Sequence, residues 1–361
     1  MNFKDILVTR DNRQQRNRAI DGDGHIGEDS AKIHQYLEEP YRTFRSGISG
    51  PAGLVPLDGW DRYMGRRHYR GGAGRPEDWI EALKWGDMEA TVVYPSIGLF
   101  IGFIKDPDYQ VAFAKAYNTW LATDMCDKDN GIYGAGLLPT HYPEEAVKEL
   151  RRIKKLGLKV GMLPADGEHL LGQIAFHPIY KAAAELNFPI ATHAAGSHLG
   201  GAGVEMFPKF IQVHTVSHPF GILRQFTSLM FEGVFQLFPN LKFAFLEAGC
   251  TWVPWWLDRM DEEFEKRGDV EAPLLKQLPS EYVKEGGNIF FGAESNERLL
   301  SNTLNLIGND VVMYASDYPH WDGNYPESLF SLKKREDLTL EQRFGLLRGA
   351  ALRFYGLSLP D

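Results

Sequence analysis

Two ligand-type side chains near the start of the chain are separated by a single glycine. Asp23 and His25 belong to the run DGDGH, residues 21–25, at the end of a short segment with strand character. Side chains two positions apart on a strand lie on the same face. A carboxylate and an imidazole are donors that Zn²⁺, Mn²⁺ and Fe²⁺ all accept. The pair therefore indicates part of a metal site, and the alternative is an ordinary capping or hydrogen-bonding pair in a glycine-rich turn.

Three further ionisable residues occupy the same relative position, at the carboxyl ends of otherwise apolar runs. His193 is predicted to end the fifth strand, Glu247 the sixth and Asp317 the eighth. Burying such side chains without partners is unfavourable, so one shared cation would satisfy all of them. Separate hydrogen-bonded polar strand ends are the alternative that the residues alone leave open.

The elements that must position these residues are eight short apolar runs, most of them followed by a segment with helical spacing, such as residues 143–155 and 177–186. This alternation indicates βα units and a parallel sheet. Eight units predict a (β/α)8 TIM barrel, in which loops at the carboxyl ends of the strands carry the chemistry. An open doubly wound sheet is the alternative, but no glycine-rich phosphate turn follows the first run. The runs are residues 19–26, 90–96, 132–139, 158–164, 188–194, 241–248, 288–294 and 311–317.

The segments outside these runs predict the domain plan. Long loops are expected after strand 1, over residues 28–85, and after strand 5, over residues 196–216. Long insertions in barrels commonly cover the substrate pocket. Residues 19–361 are then a single barrel domain, and residues 1–18 form an N-terminal surface arm.

Composition and charge exclude several classes of function. The chain has 361 residues, of which 43% are hydrophobic, enough to bury a large core. Its 39 basic and 48 acidic residues give a net charge of -9, which disfavours a nucleic acid or an anionic membrane as partner. Two cysteines are too few for a disulfide framework, and no apolar run is long enough for a signal peptide or a membrane span. We expect a cytoplasmic protein that acts on a small molecule.

Four motifs carry a family resemblance: DGDGHIGE, PIATHAAG, GVFQLFPNLKFAFLEAGCTWVPWWLDRMDEEFE and YASDYPHWDG. With them the chain resembles the metal-dependent amidohydrolase superfamily, in the amidohydrolase 2 branch that includes aminocarboxymuconate-semialdehyde and resorcylate-type decarboxylases. The resemblance implies a barrel with one divalent metal ion held by Asp23, His25, His193 and Asp317. Relatives that hold two metals have a carboxylated lysine on the fourth strand, and this sequence has no lysine at that strand's end.

Two positions depart from the pattern of these relatives. Asp23 replaces the first histidine of the His-x-His found in hydrolase-like members, and Asp23-x-His25 is closer to the Glu-x-His of many decarboxylating members. Glu247 stands where those decarboxylases place a catalytic histidine. Its role stays open between a base, a fifth ligand and a residue that orients His193.

The expected reaction is hydrolysis, in which a metal-activated water attacks a carbonyl or related carbon of a small organic substrate. Asp317 would accept the water proton and return it to the leaving group. The alternative is metal-dependent, non-oxidative decarboxylation of an aromatic or unsaturated carboxylic acid. A catalytically degenerate binding or scaffold barrel is a third hypothesis. Zn²⁺ is the first choice of metal, and Mn²⁺ or Fe²⁺ suit the same ligands.

Further residues are expected around this centre. Glu247 and His218 are predicted to join Asp317 in catalysis. A homodimer or larger homo-oligomer is expected from the resemblance and from the tryptophan-rich run at residues 252–256. The identity of the substrate does not follow from the sequence, because specificity would lie in the two long loops. The predicted substrate contacts are His198, His320, Tyr94 and Arg259.

Overall fold

Eight parallel strands form one sheet that curls into a barrel. The computed structural model describes residues 18–44, 73–195, 204–284, 286–320 and 322–358. Within them the strands lie in the order β1 to β8, each hydrogen-bonded to its neighbour in the chain. This arrangement confirms the predicted (β/α)8 TIM barrel. The strands are β1 Ala19–Ile26, β2 Met88–Pro95, β3 Ile132–Leu137, β4 Val160–Pro164, β5 Ile190–His193, β6 Phe243–Leu246, β7 Ile289–Ala293 and β8 Val312–Tyr314.

Backbone hydrogen bonds between β1 and the segment after β8 close the barrel. The His25 N–H donates to the Tyr318 carbonyl at 2.7 Å, and the Asp317 N–H donates to the Asp23 carbonyl at 3.0 Å. Three of these four residues are candidate ligands. Closing the barrel therefore also brings the two ends of the candidate site together.

The buried side chain of Asp21 holds three strands together at this seam. Its carboxylate accepts hydrogen bonds from Ser316 N at 2.9 Å, Ser316 Oγ at 2.6 Å, Thr91 Oγ1 at 3.1 Å and Asp23 N at 3.2 Å. Thr91 lies in β2 and Ser316 follows β8, so Asp21 joins β1 to both neighbouring strands. Between Asp21 and Gly24, β1 has one more residue than β2. Such a bulge re-aims side chains and is common beside active sites.

Several predicted strands extend past their observed carboxyl ends, and for β6 and β8 this affects the candidate site. β6 ends at Leu246 and β8 at Tyr314, where the sequence predicts strands through residues 248 and 317. Glu247 has φ of 67° and Asp317 has φ of 51°, and a residue in the left-handed region leaves the extended path of a strand. Both acids therefore lie on turns just after their strands, whereas His193 ends β5 as predicted.

The outer helices follow local signals in the sequence. The helices predicted at residues 143–155 and 177–186 are confirmed as Pro143–Leu156 and His177–Leu186. The first has two glutamates in its first turn, two lysines in its last turn and a left-handed Gly157 after it, a charge and capping pattern that stabilises a helix. The helices are α1 Ser30–Gln35, α2 Tyr41–Phe44, α3 Pro76–Gly86, α4 Pro107–Trp120, α5 Pro143–Leu156, α6 His177–Leu186, α7 Phe210–Phe231, α8 Val234–Leu237, α9 Val253–Glu271, α10 Pro279–Tyr282, α11 Leu300–Ile307, α12 Glu327–Lys333, α13 Leu340–Phe344 and α14 Ala350–Tyr355.

The prediction of a long loop over residues 28–85, after β1, is correct only in part. This segment contains α1, α2 and most of α3. The Asp29 carboxylate caps the start of α1 by accepting two backbone N–H groups. Pro76 begins α3, with two acidic residues in the first turn. These are recognisable helix starts, and the glycine- and arginine-rich composition of the segment obscures them.

The long loop predicted after β5 is also shorter than residues 196–216, because α7 already begins at Phe210. Parts of three predictions lie outside the described residues. These are residues 1–17 of the N-terminal arm, residues 45–72 of the first loop and residues 196–203 of the second.

The outer helices are relevant to two predictions, the absence of a membrane span and the formation of a homo-oligomer. In the ranges that the structure describes, no helix combines the length and apolar character needed to cross a membrane. At the start of α9, Trp252 and Trp256 pack against the core, whereas Trp255 is 62% exposed. The homo-oligomer stays a prediction.

Replacing Asp21 with alanine should destabilise the seam of the barrel. The change removes the shared acceptor of the Ser316 and Thr91 donors, and a buried donor left unsatisfied costs about 1–3 kcal/mol. We expect the free energy of unfolding in urea to fall by about 2–3 kcal/mol. Thr91→Val removes one of these bonds and should cost about 1 kcal/mol. An Asp21→Ala protein as stable as the wild type would contradict this role.

Candidate metal centre

Two histidines from opposite sides of the barrel mouth direct ring nitrogens into the same space. His25 on β1 and His193 on β5 are both fully buried, with ring centroids 4.9 Å apart. Nδ1 of His25 lies 2.8 Å from the Pro95 carbonyl oxygen, and Nδ1 of His193 lies 2.7 Å from the Ala194 carbonyl oxygen. Because a carbonyl only accepts, each Nδ1 carries a hydrogen and each Nε2 faces the centre. Histidine ligands of metals are held in this way.

Three carboxylates converge on these ring nitrogens. Oδ1 of Asp23 lies 3.2 Å from His193 Nε2 and 3.7 Å from His25 Nε2. Oε2 of Glu247 lies 3.2 Å and 3.4 Å from the same two nitrogens, and Oδ1 of Asp317 lies 3.4 Å from His25 Nε2. Asp23 Oδ2 and His25 Nε2 are buried and make no hydrogen bond to any described residue. Two overlapping sets of four donors could each hold a divalent cation. They are Asp23, His25, His193 and Glu247, and His25, Glu247, Asp317 and His320.

The charges in this centre are unbalanced without a cation. Burial raises the pKa of Glu247, but the imidazoles of His193, His218 and His25 outweigh burial and hold that pKa well below its usual range. Burial lowers the pKa of His193, but the carboxylates of Asp23 and Glu247 outweigh burial and hold that pKa well above its usual value. A proton on His193 thus occupies the place where a cation would neutralise the acids.

Asp317 is paired with His320. Nδ1 of His320 lies 2.7 Å from Asp317 Oδ1, and its Nε2 lies 2.9 Å from Ser96 Oγ. The imidazole also stacks on His25, with ring centroids 3.9 Å apart. Burial and then the Glu247 carboxylate raise the pKa of Asp317 well above its usual value. His320, predicted to contact substrate, lies against two candidate ligands and connects Asp317 to the loop after β2.

Glu297 fixes the turn that carries Glu247. Its carboxylate accepts the backbone N–H groups of Cys250 at 2.9 Å, Thr251 at 2.7 Å and Glu294 at 2.9 Å. Cys250 and Thr251 follow β6 and Glu294 follows β7, so one carboxylate joins two loops. The left-handed φ of Glu247 costs energy in a residue other than glycine, and such strain persists where the surroundings enforce it.

A cavity of about 390 Å³ opens beside the centre. Asp23, Glu247 and Asp317 form part of its wall, and so does His218, whose Nε2 lies 3.5 Å from Glu247 Oε1. The volume suits a small organic molecule. The cavity wall also includes His214, Glu294 and Asp322.

Three of the predicted substrate contacts that the structure describes, Tyr94, Arg259 and His320, are not among the residues that line this cavity. Tyr94 is fully buried, and its hydroxyl lies 2.9 Å from the Tyr355 hydroxyl. Arg259 is half-exposed on α9 and forms ion pairs with two glutamates of its own helix, so it does not turn inward. His198 lies outside the described residues.

The sequence-based set lacks several residues of this region, among them His214, Glu294, Glu297 and Asp322. His214 carries a signal, because it lies four residues before His218, a spacing that places two side chains on one helical face. Glu294 follows the seventh strand, the position that singles out the other acids. Glu297 carries no signal, because its role depends on the path of the turn after β6.

Comparisons with known proteins identify relatives by sequence and by fold. The family model described as Amidohydrolase matches residues 68–357. Among curated proteins, the 2-amino-3-carboxymuconate-6-semialdehyde decarboxylase of Dictyostelium discoideum is 28% identical over 291 residues, which cover 78% of this chain and 77% of that protein.

Two solved structures share the fold. An amidohydrolase of Mycobacterium avium subsp. paratuberculosis K-10 matches with a TM-score of 0.75 at 19% identity, covering 94% of this chain and 99% of the other. A dihydroxybenzoic acid decarboxylase of Polaromonas sp. JS666, with bound manganese and the inhibitor 2-nitroresorcinol, matches with a TM-score of 0.74 at 17% identity. That match covers 94% of this chain and 97% of the other.

Binding of a divalent cation should release protons from this centre. The raised pKa of His193 means that the cation-free centre holds a proton there, which a cation displaces. We expect calorimetric titration of Mn²⁺ into chelator-treated protein, in buffers of different ionisation enthalpy, to show release of about one proton per ion. Because protons compete with the cation, its affinity should rise with pH between about 6 and 8. A binding enthalpy that is the same in every buffer would contradict the proton release.

Replacing Glu297 with alanine should loosen the turn that carries Glu247. Three backbone donors lose their acceptor, so the free energy of unfolding in urea should fall by about 1–3 kcal/mol. The Kd for Mn²⁺ should rise about 10- to 100-fold, the usual effect of losing a group that orients a ligand. Glu297→Gln keeps one acceptor oxygen and should have a smaller effect. Glu336→Ala, at an exposed acid, is the control, and equal Mn²⁺ affinity in both alanine variants would argue against the positioning role.

Proposed function

Because the chain belongs to the amidohydrolase family, whose model matches residues 68–357, we propose that it is a metal-dependent, non-oxidative decarboxylase of a small aromatic or unsaturated carboxylic acid. The observation that carries the choice of reaction is the decarboxylase relative, which aligns over 78% of this chain. The sequence places hydrolysis first, and this relative reverses that order. The geometry supports decarboxylation because three features adjoin one another. These are the candidate cation centre, the Asp317–His320 pair and a cavity that suits a small molecule.

The ion would be held by Asp23, His25, His193 and Asp317, with Glu247 as a further carboxylate beside them. Two observations support this assignment. Asp23 Oδ2 and His25 Nε2 are buried without a hydrogen-bond partner among the described residues, and backbone carbonyls hold the imidazoles of His25 and His193 in place. Once bound, the ion supplies a positive charge for the substrate carboxylate and a neighbouring oxygen. The mixed donors suit Mn²⁺, Fe²⁺ and Zn²⁺, and the manganese of the Polaromonas decarboxylase moves Mn²⁺ ahead of Zn²⁺.

Decarboxylation breaks one carbon–carbon bond. Carbon dioxide leaves, the electron pair stays on the ring or alkene carbon, and that carbon takes a proton. Asp317 is proposed to deliver the proton, because its side chain lies at the cavity and is paired with His320 at 2.7 Å. His320 lies within hydrogen-bond distance of Ser96 on its other nitrogen, so a proton lost from Asp317 has a short path for replacement.

Glu247 and His218 face the reacting carbon together in this proposal. The resemblance places a catalytic histidine at the Glu247 position in related decarboxylases, and this chain has a carboxylate there. His218 brings an imidazole to the same region from α7 instead, with Nε2 3.5 Å from Glu247 Oε1. The chain therefore keeps a carboxylate and an imidazole at this wall, supplied by different elements.

A panel of ortho-hydroxybenzoates and amino- or hydroxy-substituted unsaturated acids tests the reaction. We expect the Mn²⁺-loaded protein to release carbon dioxide from at least one of them and, in D₂O, to place deuterium on the carbon that lost the carboxylate. Asp317→Asn should lower kcat by about 10²- to 10⁴-fold, the usual contribution of a general acid. The control is Asp337→Asn, at a surface aspartate paired with Arg335.

Solvent labelling separates this proposal from hydrolysis. A decarboxylase takes no oxygen from water into its organic product, whereas a hydrolase does. Label from H₂¹⁸O in the organic product, with no carbon dioxide released, would overturn the decarboxylase proposal in favour of hydrolysis.

A further inference from the structure

A second group of cation-binding side chains lies on the cavity wall beside the first. His214 and His218 are four residues apart on α7, so both rings project from one face of the helix. Their ring centroids are 4.4 Å apart. Asp322, on the segment after β8, faces them with Oδ2 3.9 Å from His214 Nε2. One donor atom from each of these three residues lies within 4.8 Å of the other two.

Glu247 connects this group to the first centre. Its Oε2 lies 3.4 Å from His25 Nε2 and 3.2 Å from His193 Nε2. Its Oε1 lies 3.5 Å from His218 Nε2 and 3.9 Å from His320 Nδ1. One oxygen of this carboxylate thus adjoins His25 and His193 and the other adjoins His218, an arrangement in which a carboxylate can bridge two ions.

The spacing of the second group needs little adjustment to bind an ion. Zinc–nitrogen and zinc–oxygen bonds are about 2.0–2.2 Å long, so two ligands of one ion are at most about 4.4 Å apart. The three donor atoms lie within 4.8 Å of one another, and His214 Nε2 and Asp322 Oδ2 are 3.9 Å apart. Phe210 stacks on the His214 ring at 5.2 Å, which helps to hold the ring in place. His214 and His218 are 22% and 21% exposed, so an ion can reach them from solvent.

The surroundings also favour positive charge at this place. Glu294 lines the same cavity. Partial burial, with the nearby carboxylates of Glu297 and Glu247, raises the pKa of Glu294, which is still exposed on one side. The Asp322 carboxylate acts in the same direction. A cation between Asp322 and the two histidines would relieve this repulsion.

We propose that His214, His218 and Asp322 form a second divalent-cation site, which shares Glu247 with the first site. The centre then holds two ions bridged by a glutamate, although the fourth strand has no lysine to bridge them. The resemblance implies one ion, so the second is a property of this chain's own residues. The inference concerns ion binding alone, and it stands whether the protein decarboxylates or hydrolyses its substrate.

Manganese binding to the full-length, chelator-treated protein tests the second site. We expect the wild type to bind two Mn²⁺ per chain in equilibrium dialysis and to give the electron paramagnetic resonance spectrum of an exchange-coupled pair. His214→Ala and Asp322→Asn should each bind one Mn²⁺ and give the spectrum of an isolated ion. His141→Ala is the matched control, because His141 pairs with His169 at 3.2 Å and does not line the cavity. It should bind two Mn²⁺.

Three results would overturn the second site. These are wild-type saturation at one Mn²⁺, two Mn²⁺ retained in His214→Ala and Asp322→Asn, and one Mn²⁺ lost equally in His141→Ala. Saturation at one ion would leave the first site intact, whereas a wild type that binds no Mn²⁺ would overturn both sites. Far-UV circular dichroism establishes that each variant is folded. Asp322→Asn preserves the size of the side chain and decides the question if His214→Ala does not fold.

Discussion

Three carboxylates and two imidazoles held at one point are the constraint on which the rest of this structure depends. Asp23 and Glu247 lie beside both His25 and His193, and Asp317 lies beside His25, so three like charges adjoin two buried imidazoles. Neither a cluster of acids nor an unpaired imidazole is stable in such a place without a counter-charge. A divalent cation supplies this counter-charge, and a proton on His193 is a partial substitute. The barrel therefore carries a site whose electrostatics are completed by an ion.

The scaffold supports this arrangement through two carboxylates that accept backbone hydrogen bonds. Asp21 joins β1 to β2 and to the segment after β8, and Glu297 joins the turns after β6 and β7. Asp21 accepts the N–H of Ser316, next to Asp317, and Glu297 accepts the N–H of Cys250, in the turn that follows Glu247. Both Glu247 and Asp317 have positive φ. Strain at a site is maintained only where neighbouring contacts over-determine it. The stability of the barrel and the geometry of the centre are therefore supported by the same residues.

The fold and the inner part of the site follow from sequence, because both depend on periodic patterns. Eight apolar runs predict the barrel, and polar residues at the ends of these runs identify Asp23, His25, His193, Glu247 and Asp317. The residues that contact substrate cannot be predicted from the sequence in the same way, because their role depends on the direction of each side chain. Tyr94 ends a predicted strand yet points into the core, and Arg259 pairs with its own helix. Glu297 is important through three backbone contacts, which no residue pattern records.

Diffraction from crystals soaked in Mn²⁺, with an anomalous difference map at the manganese edge, tests the central claim most directly. The account predicts a peak about 2.0–2.3 Å from Nε2 of both His25 and His193, with carboxylate oxygens of Asp23 and Asp317 at similar distances. Binding of Mn²⁺ only at surface residues, with no peak between the two nitrogens, would contradict it. The five side chains would then form a protonated hydrogen-bond network rather than a metal centre.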